Sequence, residues 1–263
     1  MKGYKIMKAL REIHKGHLTG YVYESAEAMG QAAADYMEKE IIKLLEEKDE
    51  VNLMFSVGIS QHTFHKALCA KRSFDWTRIN LMLLDEKTET PQADRASCAD
   101  RLLIYFRESG TPYNNCYFFD GGTNDPEAEC ERFAQVLREH EPDLAFIGIG
   151  INGHVAMNEP GEGKFDDLKD CKVVRIADRT KQSSVEAGYY ARIEDMPKYG
   201  MTMTLPCLAR IKRKFTIMPY PEKAYVAREV FCGEIRESLP ATYVRMHDWT
   251  IFMDTDSAAD ITE

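Results

Sequence analysis

The chain has 263 residues, 44% hydrophobic and 29% charged, with 43 acidic against 34 basic side chains and a formal net charge of −9. That composition is ordinary for a soluble globular protein able to bury a substantial core. The acidic balance argues against nucleic acid or an anionic membrane as partner, while leaving room for a local basic pocket that takes a small anion. The opening stretch MKGYKIMKALREIHKGHL has neither the apolar core nor the small-residue cleavage site of a secretory signal, and no apolar run approaches the roughly 20 residues of a membrane span. Seven cysteines (Cys69, Cys98, Cys116, Cys130, Cys171, Cys207 and Cys232) are dispersed without a C-x-x-C pair. Reduced thiols and a cytoplasmic location are the expectation.

In chain order, Gly20–Tyr23 reads as a short strand, and Ser25 as the N-cap of a long amphipathic helix carrying Met29, Ala33, Tyr36, Met37, Ile41, Leu44 and Leu45 on one face. Strands and helices then alternate: strand 51–57, helix 61–71, strand 79–84, helix 93–108, strand 116–119, helix 125–139 with Pro126 in its first turn, and strand 144–149. Further strands are expected at 171–176, 201–204, 215–218, 242–246 and 250–253, with helices at 181–191 and 222–231. No repeat, low-complexity tract or linker interrupts the series. It predicts a single domain over residues 1–263: a doubly wound, mostly parallel α/β sheet, Rossmann-like, with helices on both faces. Ligands of such sheets bind in the loops at the carboxyl ends of the strands.

Four of those loops carry chemistry. Gly148–Gly161, GIGINGHVAMNEPG, packs glycines, two asparagines, His154 and Glu159 into one connection after an apolar strand. A histidine that titrates near neutrality beside a carboxylate suits proton transfer. Ser56-Val57-Gly58-Ile59-Ser60 precedes a helix and fits either ordinary turn chemistry or a phosphate cradle of backbone N–H groups. Asp85 and Glu86 follow the apolar strand INLMLL, where a carboxylate serves equally as a general base or as a helix cap. Lys181, near the start of an expected helix, and Lys223, after a strand, are candidate point charges for a phosphate. The seven histidines lie apart, without zinc-ligand spacing, so no metal is expected.

Taken together and in this order, the loops resemble the glucosamine-6-phosphate deaminase (isomerase) family and its neighbours, the galactosamine-6-phosphate isomerases and 6-phosphogluconolactonases. NGHVAMNEPG is similar to the family's D/N-G-H-x-x-x-N-E-P, Leu84–Glu86 to its (M/L)-D-E, and Val57–Ser60 to its T-G-x-T phosphate loop. The resemblance implies a 2-amino-2-deoxyhexose 6-phosphate, of glucosamine or galactosamine, as substrate, converted to a ketohexose 6-phosphate and ammonia with no cofactor. It implies that Ser56, Gly58, Ile59, Ser60, Lys181 and Lys223 hold the phosphate, and that Glu86, Gly150 and Gly153 shape the sugar site. His154 would open the ring, Asp85 would move the C2 proton to C1, and Asn152 and Glu159 would support the imidazole. A non-deaminating isomerase, a lactonase and a sugar-phosphate sensor without turnover are the alternatives. A homo-oligomer is compatible with the sequence.

Departures from the family pattern bear on the site. Asn152 stands where the deaminases commonly carry Asp, Lys87 where an aromatic is usual, and Val57 and Gln61 where Thr and Pro are expected. Lys181 replaces an arginine, exchanging a bidentate fork for a point charge. The acceptor that faces His154, Asn152 or Glu159, decides whether the imidazole works.

Overall fold

The computed structural model describes residues 7–262; the first six residues of the opening stretch lie outside it. Eleven strands are present among the described residues: β1 (Arg11–Lys15), β2 (Leu18–Tyr23), β3 (Val51–Phe55), β4 (Ile79–Leu83), β5 (Asp85–Lys87), β6 (Cys116–Tyr117), β7 (Leu144–Phe146), β8 (Cys171–Arg175), β9 (Tyr199–Met203), β10 (Arg213–Met218) and β11 (Trp249–Asp254). The helices are α1 (Ala26–Glu47), α2 (His62–Cys69), α3 (Cys98–Ser109), α4 (Pro126–Glu139), α5 (Asp178–Glu186), α6 (Leu205–Arg210) and α7 (Ala224–Cys232).

Eight strands form one sheet in the order β1-β2-β11-β10-β7-β3-β4-β6, parallel except where β1 pairs with β2. Strict alternation of side chains builds its two covered faces. Leu53 and Phe55 of β3, Leu81 of β4, and Leu144 and Phe146 of β7 point into a core closed by α1, α2 and α3. Met54, Met82 and Ala145 point the other way, into a core closed by α4, α6 and α7. Both faces being apolar, these strands read as continuous apolar runs. Side-chain caps start the helices where polar residues precede them: the Ala28 N–H donates to Ser25 Oγ (3.2 Å) and that of Ala128 to Asp125 Oδ1 (3.1 Å).

The structure departs from the expected series at several places: β1 and α6 are additional elements, and the helix expected at 181–191 runs from Asp178 to Glu186. Residues 242–246 form no strand; Pro240–Met246 is a 3-10 helix. Its apolar Ala241, Tyr243 and Val244 are buried, and a five-residue apolar window does not separate a strand from a buried turn. The strands β8 and β9 leave the main sheet and form, with β5, a three-stranded antiparallel sheet in the order β5-β9-β8. Helix α3 begins at Cys98 and not at 93, because Ser97 caps it by accepting from the Ala99 N–H (3.1 Å). No helix among the described residues is long and apolar enough to cross a membrane.

Candidate active site

The order of the main sheet fixes where a cleft opens. From β3 the chain runs outward through β4 to β6; from β7 it runs the other way, to β10 and β11. The loops after β3 and β7 therefore diverge, and a crevice at the strands' carboxyl ends follows from that reversal. A cleft of about 510 Å³ lies there, lined by Ser56–Gln61 after β3, by Gly148–Ile151 and His154 after β7, by Pro219–Lys223 after β10, and by Asp85 at the start of β5.

The histidine loop is folded on itself. The Gly150 N–H donates to the His154 carbonyl (2.8 Å) and that of Ala156 to the Gly148 carbonyl (3.0 Å). Asn158 pins its far end by donating to the carbonyls of Val155 (2.9 Å) and Met203 (2.8 Å). The imidazole lies against Gly150 so closely that a Cβ there would stand 2.1 Å from His154 Cε1, which makes glycine a steric requirement. His154 Nδ1 is turned to Thr180 Oγ1 (3.2 Å) and Glu159 Oε2 (3.4 Å), so Nε2 is the nitrogen left for the cleft. Asn152 Nδ2 donates to Glu159 Oε2 (2.8 Å), while Asn152 Oδ1 accepts from the backbone N–H of His154 (3.2 Å). Glu159 is thus the acceptor that faces the ring, and Asn152 props Glu159. Burial works to raise the Glu159 pKa, but hydrogen bonds and charge from His154, with Thr180 and Asn152, outweigh it and hold the carboxyl at about 2. An anion fixed at Nδ1 stabilises an imidazolium and sets the tautomer of the neutral ring.

Asp85 and Glu86 go to different places, as neighbours on a strand must. Asp85 lines the cleft, 7% exposed, with Cys98 Sγ 3.8 Å from its Oδ1. Burial, then the Glu86 carboxylate, lift its pKa to about 6, against the pull of Lys87, His154 and Arg101. Glu86 does not line the cleft. It serves α3, accepting from Ser97 Oγ (2.7 Å) and the Ala99 N–H (3.2 Å). Lys87 lines the cleft, with Nζ 3.4 Å from Glu86 Oε1.

The phosphate candidates fall mostly on one wall. Ser56, Gly58, Ile59 and Ser60 line the cleft, and the Ser56 hydroxyl is buried without a hydrogen-bond partner among the described residues. Ile59–Gln61 is a 3-10 turn leading into α2, which directs backbone N–H groups outward. Lys223 joins them, its Nζ donating to the Ile149 carbonyl; burial draws its pKa down to about 8, with Glu222 opposing. Lys181 does not join them. On α5 the residues Thr180, Ser183, Ser184 and Ala187 recur at helical spacing along the cleft, and Lys181 is buried off that face; Arg179 reaches the wall instead. Gly153, at φ +82°, supports the loop from behind: a Cβ there would meet Leu239 Cδ1 at 2.3 Å. Thr180, Arg179, Arg101 and Tyr189 are cleft residues that the sequence reading did not single out. A small-polar face on α5 was a signal for Thr180; nothing in the sequence marked Arg101.

The family model of glucosamine-6-phosphate isomerases/6-phosphogluconolactonase matches residues 24–253. A glucosamine-6-phosphate deaminase of Bacillus cereus (strain B4264) is 26% identical over 247 residues, covering 92% of this chain and 88% of the relative. Among solved structures, a monomeric glucosamine-6-phosphate deaminase superposes with a TM-score of 0.82 at 25% identity, covering 92% of this chain and 99% of that one. A 6-phosphogluconolactonase of Thermotoga maritima superposes at 0.71 with 21% identity, covering 90% and 99%, a likeness of fold. With the family's model matched over most of its length, this chain belongs to the glucosamine-6-phosphate isomerase/6-phosphogluconolactonase family.

Proposed function

We propose that the protein is a deaminase/isomerase of a 2-amino-2-deoxyhexose 6-phosphate, adding water and releasing ammonia to leave a ketohexose 6-phosphate. One observation carries the reading: Asp85 and His154, the proton-transfer groups, line the same cleft as Ser60 and Lys223, the phosphate groups. The 6-phosphate sits on Ser56, Gly58, Ile59, Ser60 and Lys223, with Arg179 rather than Lys181 as the cation from α5. His154 Nε2 moves a proton from the C1 hydroxyl to the ring oxygen, and Glu159 stabilises the imidazolium formed on the way. Asp85 then takes the C2 proton and returns it to C1 through an enolamine. Water adds at C2 and ammonia leaves. Gly150 and Gly153 hold the histidine loop in shape, Asn152 orients Glu159, and Glu86 fixes α3 beneath the base.

A raised pKa strengthens Asp85 as a base while leaving it mostly ionised near pH 7. That combination suits removal of a weakly acidic C–H proton. The test is ammonia release from glucosamine 6-phosphate and galactosamine 6-phosphate by the wild-type protein and by Asp85→Asn. Turnover of either substrate by the wild type, with a loss of at least ~10³-fold in the variant and retained phosphosugar binding, is expected. No ammonia from either substrate sinks the reading.

A further inference from the structure

Three buried side chains at the Asp85 end of the cleft stand in a row. Lys87 Nζ is 3.6 Å from Cys98 Sγ, and Cys98 Sγ is 3.8 Å from Asp85 Oδ1, each at the length of a weak sulfur hydrogen bond. Lys87 and Cys98 are each 3% exposed, and all three residues line the cleft. Lys87 is also one of this chain's departures from the family pattern, and the row depends on it.

What each group can donate sets the direction of the row. An ammonium only donates, so the sulfur accepts from Lys87 and its single S–H is left to donate. Burial, then the Glu86 carboxylate, push the Cys98 thiol up against the pull of Lys87, which keeps the proton on sulfur. The acceptor within its reach is Asp85 Oδ1, while Oδ2 makes no hydrogen bond among the described residues. Glu86 does not account for the lysine. Its Oε1 already accepts from the Lys87 backbone N–H (2.8 Å) and its Oε2 from Ser97 Oγ and the Ala99 N–H, and Lys87 Nζ comes no nearer to Oε1 than 3.4 Å. The other charges acting on Asp85 are Glu86 on β5, Arg101 on α3 and His154 on the histidine loop, and Tyr190 acts on Lys87. The residues of β9 paired with β5, Gly200, Met201 and Thr202, add none.

We propose that Lys87 and Cys98 are positioning residues for Asp85: a chain of donors, ammonium to thiol to carboxylate, that occupies Oδ1 and leaves Oδ2 as the oxygen that takes the substrate's proton. The inference rests on the reading of Asp85 as the base and deepens it.

The S–H stretch of Cys98 reads this chain without any turnover, because no other protein group absorbs in that part of the infrared and hydrogen bonding lowers its frequency. The band is isolated as the difference between the wild-type protein and Cys98→Ala. Near neutrality it is expected at lower frequency in the wild type than in Asp85→Asn, and to rise as pH falls through about 6, where Asp85 loses its charge. Lys87→Met is expected to move the midpoint of that rise upward by about one pH unit, since the ammonium favours the charged carboxylate. A band that is the same in Asp85→Asn and indifferent to pH overturns the proposal, as does a midpoint unmoved by Lys87→Met. In ammonia release, Cys98→Ala is expected to shift the acid limb of kcat/KM upward by about one pH unit with KM within about 2-fold, which also shows the variant to be folded, and Cys98→Ser to fall between it and the wild type. An acid limb that stays in place in Cys98→Ala overturns the positioning role. If neither amino-hexose phosphate releases ammonia, the base reading falls and the infrared arm alone decides the donor chain.

Discussion

Glu159 and Asn152 both lie near the imidazole of His154, but a carboxylate 3.4 Å from Nδ1 and an amide that reaches that carboxylate at 2.8 Å do different work. Glu159 supplies the charge that an imidazolium needs; Asn152 supplies one hydrogen bond that aims it. Glu159→Gln is therefore expected to lower kcat by about 10²–10⁴-fold with little change in phosphosugar affinity, by analogy with an Asp→Asn change beside a catalytic histidine. Asn152→Ala removes that bond and the one accepted from the His154 N–H but no charge, and is expected to cost only about 3–10-fold. Steady-state kinetics on the two variants check the ranking, and comparable losses would show that the amide carries the electrostatics. The pH profile follows from two other side chains. Asp85, lifted to about 6, acts as a base only when ionised, so kcat/KM falls as pH drops through about 6. Lys223, drawn down to about 8, holds phosphate only when charged, so kcat/KM falls again as pH rises through about 8. Lys223→Arg keeps the charge at every working pH and is expected to move the alkaline limb upward by a unit or more while leaving the acid limb in place. An alkaline limb indifferent to that change would assign it elsewhere.

The histidine loop shows how an element seats a side chain without regular secondary structure. Its own hydrogen bonds fold it, Asn158 anchors it to Met203, and the absence of a side chain at Gly150 lets the ring lie flat. Gly150→Ala puts a methyl 2.1 Å from the ring and forces it to move. Displacement on the order of 1 Å from a productive geometry costs about 10²-fold, so kcat is expected to fall by at least that much while the melting temperature changes little. A fully active variant would show that the ring's seat is not part of the mechanism. This loop was legible in the sequence because its glycines, His154 and Glu159 are contiguous. The helix α5 was less so. Its place near an expected helix start makes Lys181 a candidate phosphate ligand, but a helix beginning at Asp178 puts Thr180 and Arg179 toward the cleft and turns Lys181 away. A shift of one or two residues in a helix is a rotation of 100° or more, and sequence boundaries are not that sharp.

For the molecule as a whole, the alternation of buried strands and helices was enough to read the parallel sheet, since apolar runs such as INLMLL occur where both faces are covered. Which sheet a strand joins was not readable. Cys171–Arg175 and Tyr199–Met203 look like two more members of the series, yet they pair antiparallel with each other, and Tyr199–Met203 with Asp85–Lys87, which ties the strand carrying Asp85 to the segment that carries α5. That pairing is long-range and leaves no local mark. The stacking of Arg101 on Tyr189 is likewise a property of the folded chain. The grouping of Ser56–Ser60 with Lys223, by contrast, is what the family resemblance implies, and both segments line one cleft at the strands' carboxyl ends. The proposed deamination and the reaction of the family's lactonase branch are rivals on the same scaffold.

The most direct test sets those two reactions against each other on one preparation: ammonia released from glucosamine 6-phosphate or galactosamine 6-phosphate, and acid released from 6-phosphogluconolactone above the spontaneous rate. The account predicts ammonia and ketose phosphate in equal amounts from an amino sugar, abolished by Asp85→Asn, with no acceleration of lactone hydrolysis. Catalysed lactone hydrolysis without ammonia from either amino sugar would contradict it.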